Sequence, residues 1–290
     1  MDVGARGDAP PELQSIRSYV RRVGFEPDAH ECRRLNQVED GEYFPKLVSG
    51  TSGRQTLNLY RNAGYSSTLR LSERYQRLWV GEVPIDGRLE LDAVTIDSVV
   101  SENRRFAPDI IKVDTQGSEL SILEGAEDTL KAVGLVEVEV EFLPMYEGQP
   151  LFGDVASFMG DHGFELLYLN RAFVTRRQLY SGPSRGQLLF GDALFGKRED
   201  CMGELSAEQR AKFTILLCQY GHLDIAWQLL EQCSPEIDEL VPELRQVFEA
   251  GNGRVRRALL MQVDKILIAA LHLRRHNQRG TDSDRCWPVR

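Results

Sequence analysis

The residues best suited to chemistry sit at the start of the chain, where Asp2-Val3-Gly4-Ala5-Arg6-Gly7-Asp8 reads as a strand end, a glycine-punctuated loop and the approach to a helix over residues 11–22. Gly4 and Gly7 let backbone come close to a ligand and take positive φ without a Cβ clash. The N-terminus of the following helix offers free N–H groups to anionic oxygens. The chain then returns through Val23-Gly24-Phe25 and stops at Glu26. A βαβ unit places a carboxylate there to accept hydrogen bonds from ribose hydroxyls, so these residues point to a nucleoside site. A plainer alternative stays open, in which the glycines turn a corner and Glu26 caps a helix beginning near Asp28.

The elements that must position these residues follow from apolar runs alternating with helical patterns, the mark of a mostly parallel sheet covered by helices. Residues 109–114 are the clearest strand, followed by Gly117 and a helix over 118–131. Residues 47–48 are a candidate third strand. Residues 54–60, with 78–83 and 89–93, form an irregular excursion on one side. A further strand over 135–142, a helix over 154–162 and two late strands over 164–169 and 186–195, forming an antiparallel edge, complete a domain ending near Lys197. From about Ser206 strand signals vanish, and helices over 207–220, 223–232, 242–250 and 253–275 are expected. The division is therefore residues 1–197 and a helical extension over 198–290.

Composition limits the partners. The net charge of −9 argues against general nucleic-acid binding, which depends on cationic counterion release. Cysteines 32, 201, 218, 233 and 286 are odd in number, scattered and without a C-x-x-C pair, which fits reduced thiols in a cytoplasmic protein. No basic and apolar leader precedes the first strand, and the longest uncharged apolar stretch, 266–273, is far shorter than a membrane span. His272 and His276 are four apart, as zinc ligands can be, but no third ligand accompanies them and no metal is expected. The last helix is strongly basic. It reads as a solvated face over Leu259, Val263, Ile266 and Ala270, or as a surface for an acidic protein partner, for self-association or for an anionic membrane face.

A set of ordered blocks now resembles a known family. Asp2-Val3-Gly4-Ala5, Gly24-Phe25-Glu26-Pro27, Ser66-Ser67-Thr68-Leu69, Val94-Thr95-Ile96-Asp97, then Ile111-Lys112-Val113-Asp114-Thr115-Gln116-Gly117-Ser118-Glu119-Leu120 and Leu123-Glu124-Gly125-Ala126 follow one another. Glu139-Val140-Glu141-Phe142, Tyr146-Glu147-Gly148-Gln149-Pro150-Leu151-Phe152 and Asp192-Ala193-Leu194-Phe195 continue the series. Together they resemble the FkbM family of S-adenosylmethionine-dependent methyltransferases over roughly residues 1–197.

The resemblance implies an α/β fold, a Rossmann-like class I methyltransferase sheet with helices on both faces, carrying here a C-terminal all-helical appendage. It implies S-adenosylmethionine as cofactor, with Gly4, Ala5 and Gly7 against its methionine and ribose part, Asp2 supporting the loop and Glu26 taking the ribose hydroxyls. Many relatives have asparagine where Arg6 stands, so the loop here is tuned differently. The reaction implied is O-methylation of a sugar or secondary metabolite, and Asp114 and Glu139 are the candidates for general base. A carboxylate among Val136, Val138 and Val140 needs a partner or a function. Glu119 is expected near its helix N-terminus, Asp97 as cap of a helix over 98–103, and His162 as a C-terminal cap. The acceptor pocket is assigned to loops 62–71 and 144–153. Two other classes stay in view. A nicotinamide dehydrogenase would want a third glycine where Ala9-Pro10 stands. An inactive methyltransferase-like scaffold would instead use the helical extension as its working surface.

Overall fold

The structure, a computed structural model, describes residues 1–6, 10–38, 41–177 and 184–232 of the 290. Gly7, the helices expected over 242–250 and 253–275, and the His272 and His276 pair lie outside the described residues. The strands are β1 (Asp2–Val3), β2 (Val23–Phe25), β3 (Glu42–Phe44), β4 (Leu47–Val48), β5 (Gly53–Tyr60), β6 (Ile85–Val94), β7 (Ile110–Val113), β8 (Leu135–Glu141), β9 (Phe164–Val174) and β10 (Gln187–Lys197). The helices are α1 (Ala29–Val38), α2 (Glu73–Tyr75), α3 (Ile96–Glu102), α4 (Glu119–Glu124), α5 (Glu127–Leu130), α6 (Phe152–Asp161), α7 (Ala207–Gln219) and α8 (Leu223–Gln232).

Seven strands form one sheet in the order β3-β2-β1-β7-β8-β10-β9. The first five run parallel and β10 pairs antiparallel with both β8 and β9, so the expected Rossmann-like sheet with an antiparallel edge is present. Strand order reverses between β1 and β7, and in such sheets ligands bind beyond the carboxyl ends at that switch. One face is apolar: Val3, Ile111, Val113, Val136 and Val138 are buried beneath α3 to α6, with Ile122, Leu123, Val155 and Met159 packed on them. Each such side chain contributes about 1.5–3 kcal/mol by leaving water. On the second face Leu13, Leu135 and Leu194 pack with Phe213, Leu216, Leu217 and Leu229 of α7 and α8. The described start of the extension therefore covers the sheet.

Several elements differ from expectation. The segment after the first loop is a 3-10 helix over Pro11–Tyr19, shorter and tighter than a helix over 11–22, with proline in its opening turn. The third strand of the main sheet is Glu42–Phe44. Leu47–Val48 instead joins β5 and β6 in a separate three-stranded sheet. Short as it is, β3 is held because Phe44 stacks on Phe25 at 5.8 Å and meets Phe106 edge-on at 5.5 Å. Residues 78–83 are no strand: Gln76–Val80 is a π-helical turn ending at Gly81. The helix expected over 118–131 breaks at Gly125 into α4 and α5. Thr95 and Ser98 form the capping box of α3, and Asp97 caps α5 instead, accepting from the N–H groups of Asp128 at 3.0 Å and Thr129 at 2.8 Å. His162 does end α6, with Nδ1 2.8 Å from the Phe158 carbonyl. Among the described residues no helix is long and apolar enough to cross a membrane, and no group of three or more metal-ligating side chains is placed to hold an ion.

Candidate functional site

Register decides which side chains meet. Asp2, Lys112 and Glu137 form one row across β1, β7 and β8, and Val3, Val113 and Val138 form the next. One residue further on, Gly4 and Asp114 leave the sheet while Glu139 stands opposite Asp192 of β10. Side chains alternate between sheet faces, so Lys112, Asp114, Glu137 and Glu139 share the face opposite the valine core.

The first cluster belongs to the tips of β1 and β2. Gly4 has φ +76°, and a Cβ there would run into the Asp114 carbonyl oxygen, so the two strand tips touch backbone to backbone. Ala5 is buried against Cys32, Leu35 and Tyr43, which ties the loop to α1 and leaves its backbone as the surface it can offer. Glu26 is 5% exposed at the tip of β2. Its Oε1 accepts from the Asp28 N–H at 2.8 Å, and Oε2 lies 3.8 Å from Arg6 Nε. Arg6 itself donates to Asp28 at 2.9 Å, so it lies beside both acids. Burial raises the Glu26 carboxyl above its ordinary range, against the opposing pull of the Asp28 N–H and Arg6. Asp2 lies one row below the edge. Burial raises its carboxyl too, with Lys112 opposing, and its Oδ1 is buried without a hydrogen-bond partner among the described residues.

The second cluster belongs to β7 and β8. Gln116 Nε2 donates to Glu139 Oε2 at 2.7 Å and to Asp114 Oδ1 at 3.3 Å, so one amide joins both candidate bases. Burial first, then Asp114, Glu141, Glu119 and Asp192, hold the Glu139 carboxyl well above the usual carboxylate range. Burial would lower the Lys112 ammonium, but Asp114, Asp2, Glu137 and Asp192 carry it above its ordinary value. Lys112 Nζ sits 3.4 Å from Asp114 Oδ2.

Glu119 has a more exact task than facing a helix terminus. Its buried carboxylate accepts from Thr115 N–H at 2.8 Å and Gly117 N–H at 2.8 Å, clamping the turn that carries Gln116. The two loops assigned to the acceptor pocket are bonded to one another, through the Leu71 and Tyr146 bridge and the Glu147 N–H on the Arg70 carbonyl at 2.8 Å. Tyr146 Oη lies 3.2 Å from Gln116 Oε1 and 3.1 Å from the Tyr65 carbonyl, and Tyr65 meets Tyr75 edge-on at 6.3 Å. Tyrosine rings thus stand beside the acid pair.

The structure brings Asp2, Gly4, Ala5, Arg6, Glu26, Asp114 and Glu139 to adjoining strand ends. Sequence reasoning assigned no role to Gln116, Lys112, Glu141 or Tyr146. Strict alternation in Ile111-Lys112-Val113-Asp114 and Val138-Glu139-Val140-Glu141 carries the signal for two of them. A cavity of about 610 Å³ lies elsewhere, lined by Leu13, Ile16, Phe106, Ile110 and Leu216 among others. It reaches Asp2 and Lys112 but not Gly4, Glu26, Asp114 or Glu139, and so is distinct from the strand-tip site.

The family model for the methyltransferase FkbM domain matches residues 6–166, more than half of the chain, and takes in Glu26, Asp114, Gln116 and Glu139. No curated protein matches. Among solved structures, the crystal structure of methyltransferase FkbM from Methylobacillus flagellatus KT is similar at 15% identity and a TM-score of 0.34, covering 66% of this chain and 42% of that one. This chain thus spans less than half the length of that solved relative. From the domain match over residues 6–166, the chain belongs to the FkbM methyltransferase family.

Proposed function

We propose that the protein is an S-adenosylmethionine-dependent O-methyltransferase of the cytoplasm, acting on a hydroxyl of a sugar or secondary-metabolite acceptor. The observation that carries the reading is the meeting of two clusters at one sheet edge: a positive-φ glycine loop beside a buried acid, and two acids joined by one amide. The residues present fit the cofactor. Gly4 leaves the crevice free of side chain, and Glu26, held from one side by the Asp28 N–H, has lone pairs left for ribose hydroxyls. Asp2, beneath the loop, is the candidate to meet the cofactor's ammonium group, and the backbone of Ala5, Arg6 and Gly7 its methionine and ribose part.

Bound there, the cofactor would supply an electrophilic methyl carbon, with the cationic sulfur as the leaving group. This chain's own residues do the rest. A hydroxyl is a weak nucleophile near neutral pH, and a base poised near the working pH helps most. Glu139, raised by burial and then by its acidic neighbours, accepts the hydroxyl proton, while Asp114 holds the opposite side of Gln116. Tyr146, buried and bonded to the Tyr65 carbonyl and to Gln116, fixes the paired loops that would hold the acceptor in line, where alignment supplies much of the rate.

Calorimetric titration with S-adenosylmethionine and with NAD, on wild type and on Glu26→Ala, tests the reading. The first ligand should bind and NAD should not. Losing hydrogen bonds to a charged acceptor should weaken S-adenosylmethionine by roughly 10- to 100-fold. Undiminished binding by Glu26→Ala removes the ribose assignment. Binding of neither ligand by wild type favours the inactive scaffold.

A further inference from the structure

We propose that Gln116 is the positioning residue of the acid pair, its side-chain amide holding the Glu139 carboxyl at the sheet edge in the form that can accept a proton. The inference rests on the methyltransferase reading for the identity of the proton donor, while the geometry stands without it.

The backbone comes first. Gln116 has φ +62° and is the one non-glycine residue in the left-handed region among the described residues. Such a conformation persists when its surroundings over-determine it. Here Ser67 Oγ donates to the Gln116 carbonyl at 2.7 Å, and Glu119 takes the N–H groups on either side. Three hydrogen bonds from two residues, one 49 positions away in the chain, thus fix where one side chain starts.

The side chain then spans both acids. An amide nitrogen carries two N–H donors, and here one is available to Glu139 Oε2 and one to Asp114 Oδ1. The other end of the amide, Oε1, lies 3.2 Å from the Tyr146 hydroxyl. In this orientation both N–H groups are donated to carboxyl oxygens, which favours the ionised form of either acid.

Electrostatics make that donation matter. The groups facing Glu139 are Asp114 from β7, Glu141 on its own strand, Asp192 from β10, Glu119 from α4, and the hydroxyls of Tyr75 and Tyr146. Four of these are carboxyls, burial raises the two tyrosine hydroxyls above their ordinary value, and Lys112, a row below, is paired with Asp114. Burial first, and then these carboxyls, act to hold the Glu139 carboxyl above its ordinary range, against ionisation. Hydrogen bonds donated to a carboxylate favour its charged form. Among the described residues the Gln116 amide is the donor to this carboxyl.

The test needs no acceptor. Carboxyl-¹³C glutamate labelling, with the signal assigned through Glu139→Gln, follows the Glu139 titration directly by NMR. Gln116→Asn keeps a residue type that tolerates the left-handed backbone but withdraws the amide by one methylene. Gln116→Glu keeps the length and replaces a donor by an acceptor. In both variants the Glu139 midpoint should move up by about one pH unit or more. Above the Glu139 midpoint both variants should melt lower than wild type, and at pH values where Glu139 is protonated in all three the gap should narrow, while S-adenosylmethionine affinity, read by calorimetry, stays within a few-fold. An unmoved midpoint in either folded variant overturns the proposal. If the midpoint moves but wild type binds no S-adenosylmethionine, the positioning role stands and the methyltransferase reading fails.

Discussion

Gly4 is the residue at which the cofactor half of the site meets the half that carries the acids. Its φ of +76° suits glycine, and a Cβ would strike the Asp114 carbonyl oxygen and crowd Thr115 Cγ2 at 3.3 Å. Both penalties act in the folded state, so Gly4→Ala should cost about 2 kcal/mol or more in urea unfolding. Gly153, in the first turn of α6 with open space around its Cα, is the control: Gly153→Ala should be neutral or stabilising by about 0.5–1 kcal/mol. Equal effects at the two positions would mean that the contact between strand tips is not tight. Gly4 was legible because glycine spacing ahead of a helix has a stated backbone reason. Gln116 was not. No propensity marks a glutamine for positive φ, and the clamps that force it there come from Ser67 and Glu119, one of them 49 residues away in the chain.

At the scale of elements, apolar runs set between helical patterns gave β7 and β8 almost to the residue, and their valines and isoleucines do form one face with ionisable residues on the other. The short apolar pair Leu47–Val48 was not the third strand of this sheet. Glu42–Phe44 is too short to show a period, and its hold on the sheet is tertiary, through Phe25 and Phe106. Capping failed for a related reason. Asp97 follows a strand and opens a helix, which is a local cap pattern, yet Thr95 fills that position and the Asp97 carboxylate crosses to α5, 31 residues on. Hydrogen exchange separates the two accounts. In Asp97→Ala the amides of Asp128 and Thr129 should lose protection while that of Ser98 keeps it, with a global loss of roughly 1–2 kcal/mol. Loss of protection at Ser98 instead would return Asp97 to its own helix.

For the whole molecule, the second sheet face changes character along the strands: apolar under α7 and α8, then ionic toward the carboxyl edge. Glu137 stands at the change. It is buried, and the Tyr220 hydroxyl at the end of α7 donates to its Oε2 at 2.9 Å. Burial, with Asp192 and Glu12 adding and Lys112 and Tyr220 opposing, pushes its carboxyl up to about 7. The sign follows from which state holds the proton. Below the ordinary glutamate value of 4.5 both states are protonated and Glu137 contributes nothing to the pH dependence. Between 4.5 and about 7 the folded state keeps a proton that the unfolded chain releases, so stability falls as pH rises. Above that range the loss is complete and amounts to up to about 3 kcal/mol. Glu26, Glu139 and Glu141 are raised as well and act in the same direction. The protein should therefore melt higher near pH 5 than near pH 8. Glu137→Gln keeps an oxygen for Tyr220 but has nothing to ionise, so it should out-melt wild type at pH 8 and match it near pH 4.5. Parallel melting curves for the two proteins across that range would show that the carboxyl under α7 is solvated, and that the helical extension covers the sheet less closely than its packing on Leu135 and Leu194 requires.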